Sequence, residues 1–592
     1  MRYRRSTDSL PRLLWLLALL LFPVFLAAQS QPETTASAAG QRYSEGAAAF
    51  QRGDLVAARK SLAAAVRLNP RDARARNALG LVLLSQNDAA SAIAQFQAAI
   101  RLQPSFVNAR TNLSNALLQT RDLPGATREA VAVVHLAPND PDAHLALARA
   151  QEASANLPDA TASIRRAVEL APSRPDLHDD LGSLLARQTD MSGAATEFQE
   201  ALRLNPQLPS ANFHIGVLLL GQQQLDSAES HLAESVQLDR KNYMAFNYLG
   251  RTRSAMGRLP EAIAAFQASL KLQPSQPETL RLLGQSLQRV GNPVEAASTF
   301  RELLRLQPMS PDAQNGLGLA LLQSGDGDDA IAAFRAALQI RPDDTGYQGN
   351  LGATYLQKAD FAAAVSTFRA ALVRAPNDQS LHYNLGLALK LQDKLPEAVA
   401  ELRAAEAIDP TQPDAPYTLG VTLWQMGNAE DSVTELQNAI AAKPDYAEAF
   451  YTLGTVLKQQ SKFQQSADTL REAIRLEPDF AGAHTTLAAV LRQLGDAQGA
   501  AAEAHLGAEL AKQKTDLQAA IFATNSGRRL RSVGDLSGAI SQFRAAIQAV
   551  ADYAPAHFEL AIALRQLGEK EESAQEFKKA SALDPKLIAP QP

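Results

Sequence analysis

The chain has 592 residues, 57 Lys+Arg against 62 Asp+Glu, 46% hydrophobic and 6% aromatic residues, and no cysteine. The near-neutral balance argues against a dedicated nucleic-acid binder, which carries a strong basic excess. The lack of cysteine excludes disulfides, thiolate metal sites, covalent haem attachment, a cysteine nucleophile and a lipidated cysteine.

Arg2, Arg4, Arg5 and Arg12 precede an apolar run from Leu13 to Ala28, and a polar stretch begins at Gln29. This order of basic, apolar and small residues predicts a secretory signal peptide over 1–28, followed by a polar linker over 29–38. A spanning helix wants about 20 apolar residues, and Pro23 lies inside this shorter run. Ala28 suits cleavage, although Leu26 is bulky two positions before it; Ala36-Ser37-Ala38 fits better but lies further downstream. The expectation is an exported chain, periplasmic or secreted. The alternative is a chain held at the inner membrane by residues 13–28, the only membrane contact expected.

Periodicity organises the rest. Pro70, Pro104, Pro138, Pro172 and Pro206 stand 34 residues apart, and the series resumes in phase from Pro274 to Pro478. Gly80, Gly182, Gly216 and Gly250 keep the same phase, as do Ala58, Ala92 and Ala126 and the ring series Phe266, Phe300, Phe334 and Phe368. Within residues 73–106, Ala75, Leu79, Val82 and Leu83 recur at helical spacing, and Gln86-Asn87-Asp88 breaks the pattern. Ala92, Phe96, Ala99 and Ile100 then recur until Pro104 ends the helix. Second helices open with proline in the first turn at Leu123-Pro124, Leu157-Pro158, Leu259-Pro260 and Leu395-Pro396, where its missing N–H costs nothing. Gly80 and Ala92 are small where two helices are expected to cross.

This unit resembles the tetratricopeptide repeat: 34 residues, helix–turn–helix, small residues at unit positions 8, 20 and 27, an aromatic or Leu at 24 and Pro at 32. The resemblance implies an all-α, right-handed superhelical α-solenoid of about sixteen repeats. Counted from Ala39, fourteen units fill 39–514, an insertion or kink occupies 515–519, two more units span 520–587, and 588–592 form a tail. Unit 14 departs from the pattern, with Ala488, Gly507 and Lys512 where Gly, Ala and Pro are expected. Its second helix is therefore expected to run on by a turn, or else a longer loop intervenes.

No catalytic, cofactor or metal constellation emerges. His144, His178, His382, His484 and His557 share unit position 4, where the family places a large ring for packing. Gly316-Leu317-Gly318 falls inside a first helix and so does not read as a dinucleotide loop. Asp326-Gly327-Asp328-Asp329 reads as an inter-helix turn that lacks the closing Glu of a calcium loop. The array is similar to the repeat half of protein O-GlcNAc transferases, but repeats to residue 587 leave no room for a catalytic domain before 592, so an enzyme is not expected.

In this family the first helices line a concave groove, and unit positions 5, 9 and 12 are expected to face it. Early units offer Asn77, Leu81, Leu84 and Thr111, Asn115, Leu118, then Leu145, Arg149, Glu152, with an apolar interruption at Phe213, Val217, Leu220. From unit 11 an aromatic–basic track forms the candidate peptide-binding groove: Tyr383, Lys390, Tyr417, Trp424, Tyr451, Lys458, Arg492 and Arg531. Aromatic residues and Arg are common anchors of binding surfaces. The Lys at position 5 and Asn at position 9 with which co-chaperone members of the family hold a C-terminal carboxylate occur together in no unit. The expected activity is non-enzymatic: a protein-interaction scaffold holding an extended peptide or partner protein. The alternatives are an array subunit of a glycosyltransferase-like or export complex whose catalytic part is a separate chain, and a structural spacer. The last helix, with Ala574, Phe577, Ala580 and Leu583, is expected to leave an uncapped apolar face open to self-association.

Overall fold

The computed structural model describes residues 35–587; the signal peptide expected over 1–28 and the tail over 588–592 lie outside them. Among the described residues there are 31 α-helices and no strand, an all-α repeat solenoid. The chain forms two compact units, one up to Leu306 and one from Gln307 onward. Both are built by the same grammar.

The pair α3 (Ala73–Ser85) and α4 (Ala89–Leu102) shows that grammar. Asp72 accepts from the N–H of Arg74 and Ala75, and Asp88 from that of Ser91, so side-chain oxygens satisfy orphan donors at both helix starts. Between the helices Asn87 has a φ of 62°, and the equivalent residue is left-handed in every repeat, from Gly53 to Gly568. This left-handed residue ends each first helix and turns the chain back on itself. Half of these residues are not glycine: Arg121, Ala155, Thr189 and Gln223 pay the steric cost that a Cβ brings there. Phe96, wholly buried, lies over Gly80, where an added Cβ would meet its ring at 2.5 Å. The small residue at position 8 and the ring at position 24 are thus one packing device.

Position 4 works differently from the packing ring expected of it. His178 Nδ1 is 2.6 Å from a Glu197 oxygen, and its Nε2 is 3.0 Å from the carbonyl of Pro172. His382 and His484 repeat this with Glu401 and Pro376, and with Glu503 and Pro478. Arg110 makes the equivalent bridge to Glu129 and the carbonyl of Pro104. The residue latches the two helices of its repeat to the preceding loop by hydrogen bonds.

Successive repeats stack by laying the second helix of one across the first helix of the next, as α4 lies on α5 (Val107–Gln119). First helices also touch their counterparts: α3 meets α5 in the first unit, and α21 (Gln379–Leu391), α23 (Asp414–Gln425), α25 (Ala447–Gln459) and α27 (Ala481–Gln493) meet in series in the second. No second-helix pair among the described residues comes as close, so the first helices form the inner layer of each unit.

Three features differ from the sequence reading. Helix α1 (Thr35–Gln51) begins inside the expected linker. Residues 515–519 are not a loop: α28 (Ala497–Ser532) runs unbroken for 36 residues, fusing the second helix of repeat 14 to the first helix of repeat 15. With Lys512 in place of proline, nothing stops the helix. The final repeat, α30 (Ala554–Leu567) and α31 (Lys570–Leu583), is not open at Phe577. That ring is 7% exposed, edge-on to Phe558 at 5.5 Å with the Arg565 guanidinium above it, and Ala580 is fully buried. Phe577 and Ala580 are the repeat's own internal packing. The face on which self-association was expected is therefore reduced to Ala574 and a 44%-exposed Leu583.

Residues Ala511–Thr515 and Leu517–Ala519, in the middle of α28, are exposed. Backbone hydrogen bonds that no packing protects open first. Hydrogen exchange is expected to show residues 508–519 exchanging well before the helices of residues 379–476 in repeats 11–13. Uniform protection across both segments contradicts this.

Candidate functional site: the inner face of repeats 11–14

Three residues in each first helix were expected to face the groove. In the first unit many of them do not: Asn77, Leu84, Asn115, Leu145 and Phe213 are all less than a tenth exposed. Position 5 bridges to the next first helix, as when the Asn112 amide donates to Asn77 Oδ1 at 2.9 Å or His214 Nδ1 meets Asp179 at 2.8 Å. A residue at position 5 is thus half inter-repeat glue, a role that residue type alone does not reveal.

The inner face of repeats 4 and 5 carries a paired ion network. Arg174 bridges Asp142 at 2.6 Å and Asp176 at 2.5 Å, Arg187 pairs with Glu152, and Arg149 is 3.5 Å from Asp180. Burial pushes the Asp180 carboxyl up to about 6, Asp179, Glu152 and Asp176 add repulsion, and Arg149 opposes. The folded-state value lies above the ordinary one, so the stability this group lends is full below about 4 and is lost as pH rises towards 6. Its side chain is 41% exposed, which discounts the energy. Asp180→Asn is expected to flatten the pH dependence of stability between 4 and 6; an unchanged slope contradicts the assignment.

Repeats 11–14 present another surface. Tyr383, Tyr417 and Tyr451 stand in one row and are all half-buried. Tyr383 packs on the Leu402, Leu419 and Leu423 cluster. Tyr417 lies 5.0 Å from Tyr446, and Tyr451 lies 4.7 Å from Phe480, ring centre to ring centre. Tyr446 and Phe480 escaped the sequence reading. Each is the last residue of its unit, as are Phe106 and Tyr553, and that recurrence was the available signal. The Lys443 ammonium sits 4.7 Å over the Tyr446 ring, and burial, followed by the nearby Asp414, raises the Tyr446 phenol well above its usual range. The phenol stays neutral and able to donate a hydrogen bond.

A second row runs Lys390, Trp424, Lys458, Arg492 along position 12. Trp424 lies against the Leu436, Leu453, Val456 and Leu457 cluster, and its Nε1–H donates to Gln459 Oε1 at 2.5 Å. Lys390 and Lys458 are half-buried and Arg492 is exposed; among the described residues none of the three has a carboxylate partner. Burial holds the Lys390 ammonium below its ordinary value. Between the rows lie Leu387, Val421, Thr455 and Ala489, which are small or apolar.

Arg531 does not join this row. Its guanidinium donates to Glu559 at 2.8 Å, as does that of Arg528, so it is spent on holding α28 to α30. The track therefore ends at Arg492. Pocket-like space of about 430 Å³ also lies beside Asp326–Asp329, but Lys358 already neutralises Asp328 there. Among the described residues no group of three or more His, Cys, Asp or Glu is arranged to hold a metal, and no helix is long and apolar enough to cross a membrane.

Comparison with curated proteins finds no match. Among solved structures, a MamA protein is 23% identical over 29% of this chain and 93% of its own, with a TM-score of 0.28. YrrB, titled a TPR protein with an unusual peptide-binding site, is 19% identical over 31% of this chain and 93% of its own, with a TM-score of 0.30. The Cut9–Hcn1 hetero-tetramer of the APC/C is 15% identical over 89% of this chain and 96% of that chain, with a TM-score of 0.33. Two tetratricopeptide-repeat profiles match most of the chain: one at 43–106, 111–175, 180–243, 213–277, 247–296, 281–345, 451–513 and 524–588, the other at 321–387 and 389–455. The repeat period, the helix pairs, the ring over a small residue and these matches agree: the chain belongs to the tetratricopeptide repeat family.

Proposed function

We propose that this protein is an exported, non-enzymatic interaction scaffold that holds an extended segment of a partner protein on the inner face of repeats 11–14. Repeats of this family are generally non-catalytic surfaces for protein or peptide partners. One observation carries the specific reading. On the inner face of repeats 4 and 5 the arginines Arg149, Arg174 and Arg187 are paired with carboxylates, whereas Lys390, Lys458 and Arg492 run with Trp424 and have none among the described residues. Two half-buried lysines and an exposed arginine without counter-ions favour a ligand that brings acidic side chains or a C-terminal carboxylate, and Trp424 with the tyrosine row offers apolar contact. Peptide selection from a random displayed library against the full chain tests this. Enrichment of sequences that pair acidic with aromatic or aliphatic residues supports it; basic sequences, or no enrichment, overturn it.

Export rests on Arg2–Arg12 and the apolar run Leu13–Ala28. Cleavage after Ala28 leaves α1 whole, whereas cleavage after Ala38 removes its first turn from Thr35. N-terminal sequencing of the fractionated protein is expected to begin at Gln29; an intact Met1 in the membrane fraction contradicts cleavage, and recovery of the chain from the cytoplasmic fraction contradicts export.

A further inference from the structure

The fusion of two helices into α28 leaves one repeat without the neighbour that every other repeat after the first possesses. Position 3 of the first helix is buried in repeats 2–14, at 34-residue intervals from Ala75 to Ala483, and again at Ala556 in repeat 16. It lies on the face over which the preceding repeat's second helix packs. In repeat 15 the residue is Phe522, and it is 76% exposed. Position 10, buried at Val490 and Ala563 in the repeats on either side, is here an exposed Arg529. Phe522, Ser526, Arg529 and the 75%-exposed Val533 follow the 4, 7, 11 spacing of a single helix face. The reason is covalent: the preceding second helix is the same helix, and it cannot fold back across itself.

We infer that this face is a docking site for an amphipathic helix of a partner protein, laid where the missing second helix would lie. The charge around it narrows the chemistry. Arg529, Lys512 and Lys514 are exposed and without carboxylate partners among the described residues. Glu509 and Asp516, about 20° apart by the helix's 100° step per residue, lie roughly 120–140° around α28 from Phe522. The docking face is therefore apolar at Phe522 and Val533, with Arg529 between them and Lys512 and Lys514 at its margins. It fits a helix with an apolar stripe flanked by acidic residues. A second copy of this chain fits less well: the exposed stripe of its last helix, Glu571, Ala574 and Lys578, mixes both charges around a single small residue and has no apolar row between acidic ones.

The array contains a sequence of the required kind. Helix α24 (Ala429–Ala442) has Glu430, Asp431 and Glu435 and no basic residue, and its Val433 and Ile440 pack against Leu453 and Val456 of α25 within the fold. A fluorescent peptide with the α24 sequence is the probe, titrated by anisotropy against the full chain. Saturable binding is expected, weakened roughly tenfold or more by Phe522→Ala and also by high salt. Val373→Ala, which truncates a 79%-exposed valine on α20 (Phe361–Arg374), is expected to leave it unchanged. Circular dichroism checks that both variants fold. Absence of saturable binding up to about 1 mM overturns the inference, as does equal weakening by the two variants. Sedimentation showing a dimer that Phe522→Ala abolishes overturns it in favour of a second copy.

Discussion

Phe368→Ala is expected to lower the stability of its part of the array by about 3–5 kcal/mol, the range for deleting a buried ring from a packed core. Phe368 is wholly buried between α19 (Thr345–Gln357) and α20, directly over Gly352. The converse change, Gly352→Ala, places a Cβ 2.5 Å from the ring edge, so the buried ring must shift to admit it. Overpacking of this kind costs about 1–3 kcal/mol. Combined, the two changes should cost less than their sum, because the added methyl enters the space that the ring vacates. The chain already uses this solution in repeat 14, where Ala488 faces the position that Ala504 occupies in place of a ring. Denaturant unfolding of the two single variants and the double variant measures the coupling. Strict additivity would show that the glycine and the ring do not share one volume. Solenoid repeats contact only their neighbours, so the loss should appear as local opening near repeat 10 before global unfolding.

Much of this architecture was legible because each repeat states it again. A single Gly or Phe says little, but Gly80, Gly182 and Gly352 in phase with Phe96, Phe198 and Phe368 name a crossing point and the residue that fills it. The left-handed residue that ends each first helix was not legible, because Arg121, Thr189 and Gln223 fill it as often as glycine does. There the loop geometry overrides local preference, and no residue type marks it. The length of α28 was half legible: the missing proline showed that a helix would continue, but not that it would merge with the next one. Partner choice on the surface was hidden for another reason. Arg531 and Arg492 share a unit position, and only the burial of Glu559 beside α28 separates a structural arginine from a free one. The tyrosine row was found by register, yet what each ring touches depended on Tyr446 and Phe480, which lie in loops between repeats.

The second large effect is expected at Trp424. Truncating an aromatic anchor at the centre of an interface costs about 2 kcal/mol or more, roughly thirtyfold in affinity. Trp424 has the attributes of one. It stands midway between Lys390 and Lys458, its ring leans on the Leu453–Leu457 cluster, and Gln459 fixes its orientation through the indole N–H. With a peptide from the library selection in hand, Trp424→Ala should weaken binding about thirtyfold and Tyr417→Ala somewhat less. Gln459→Ala should weaken it by a smaller factor, since the ring keeps its contacts but loses the bond that orients it. Lys458→Ala should act mainly on the association rate, and more at low salt than at high. Lys390 offers a separate readout. Burial disfavours its charge in the free chain, and a bound carboxylate offsets that penalty, so its ammonium should titrate at higher pH in the complex than alone. Arg251→Ala, on an exposed first-helix position of the first unit, should leave all of these values unchanged. If Arg251→Ala weakens binding more than Trp424→Ala, the ligand lies on the first unit's inner face, and the unpaired lysines of repeats 11–13 are solvent-facing charges with no ligand of their own.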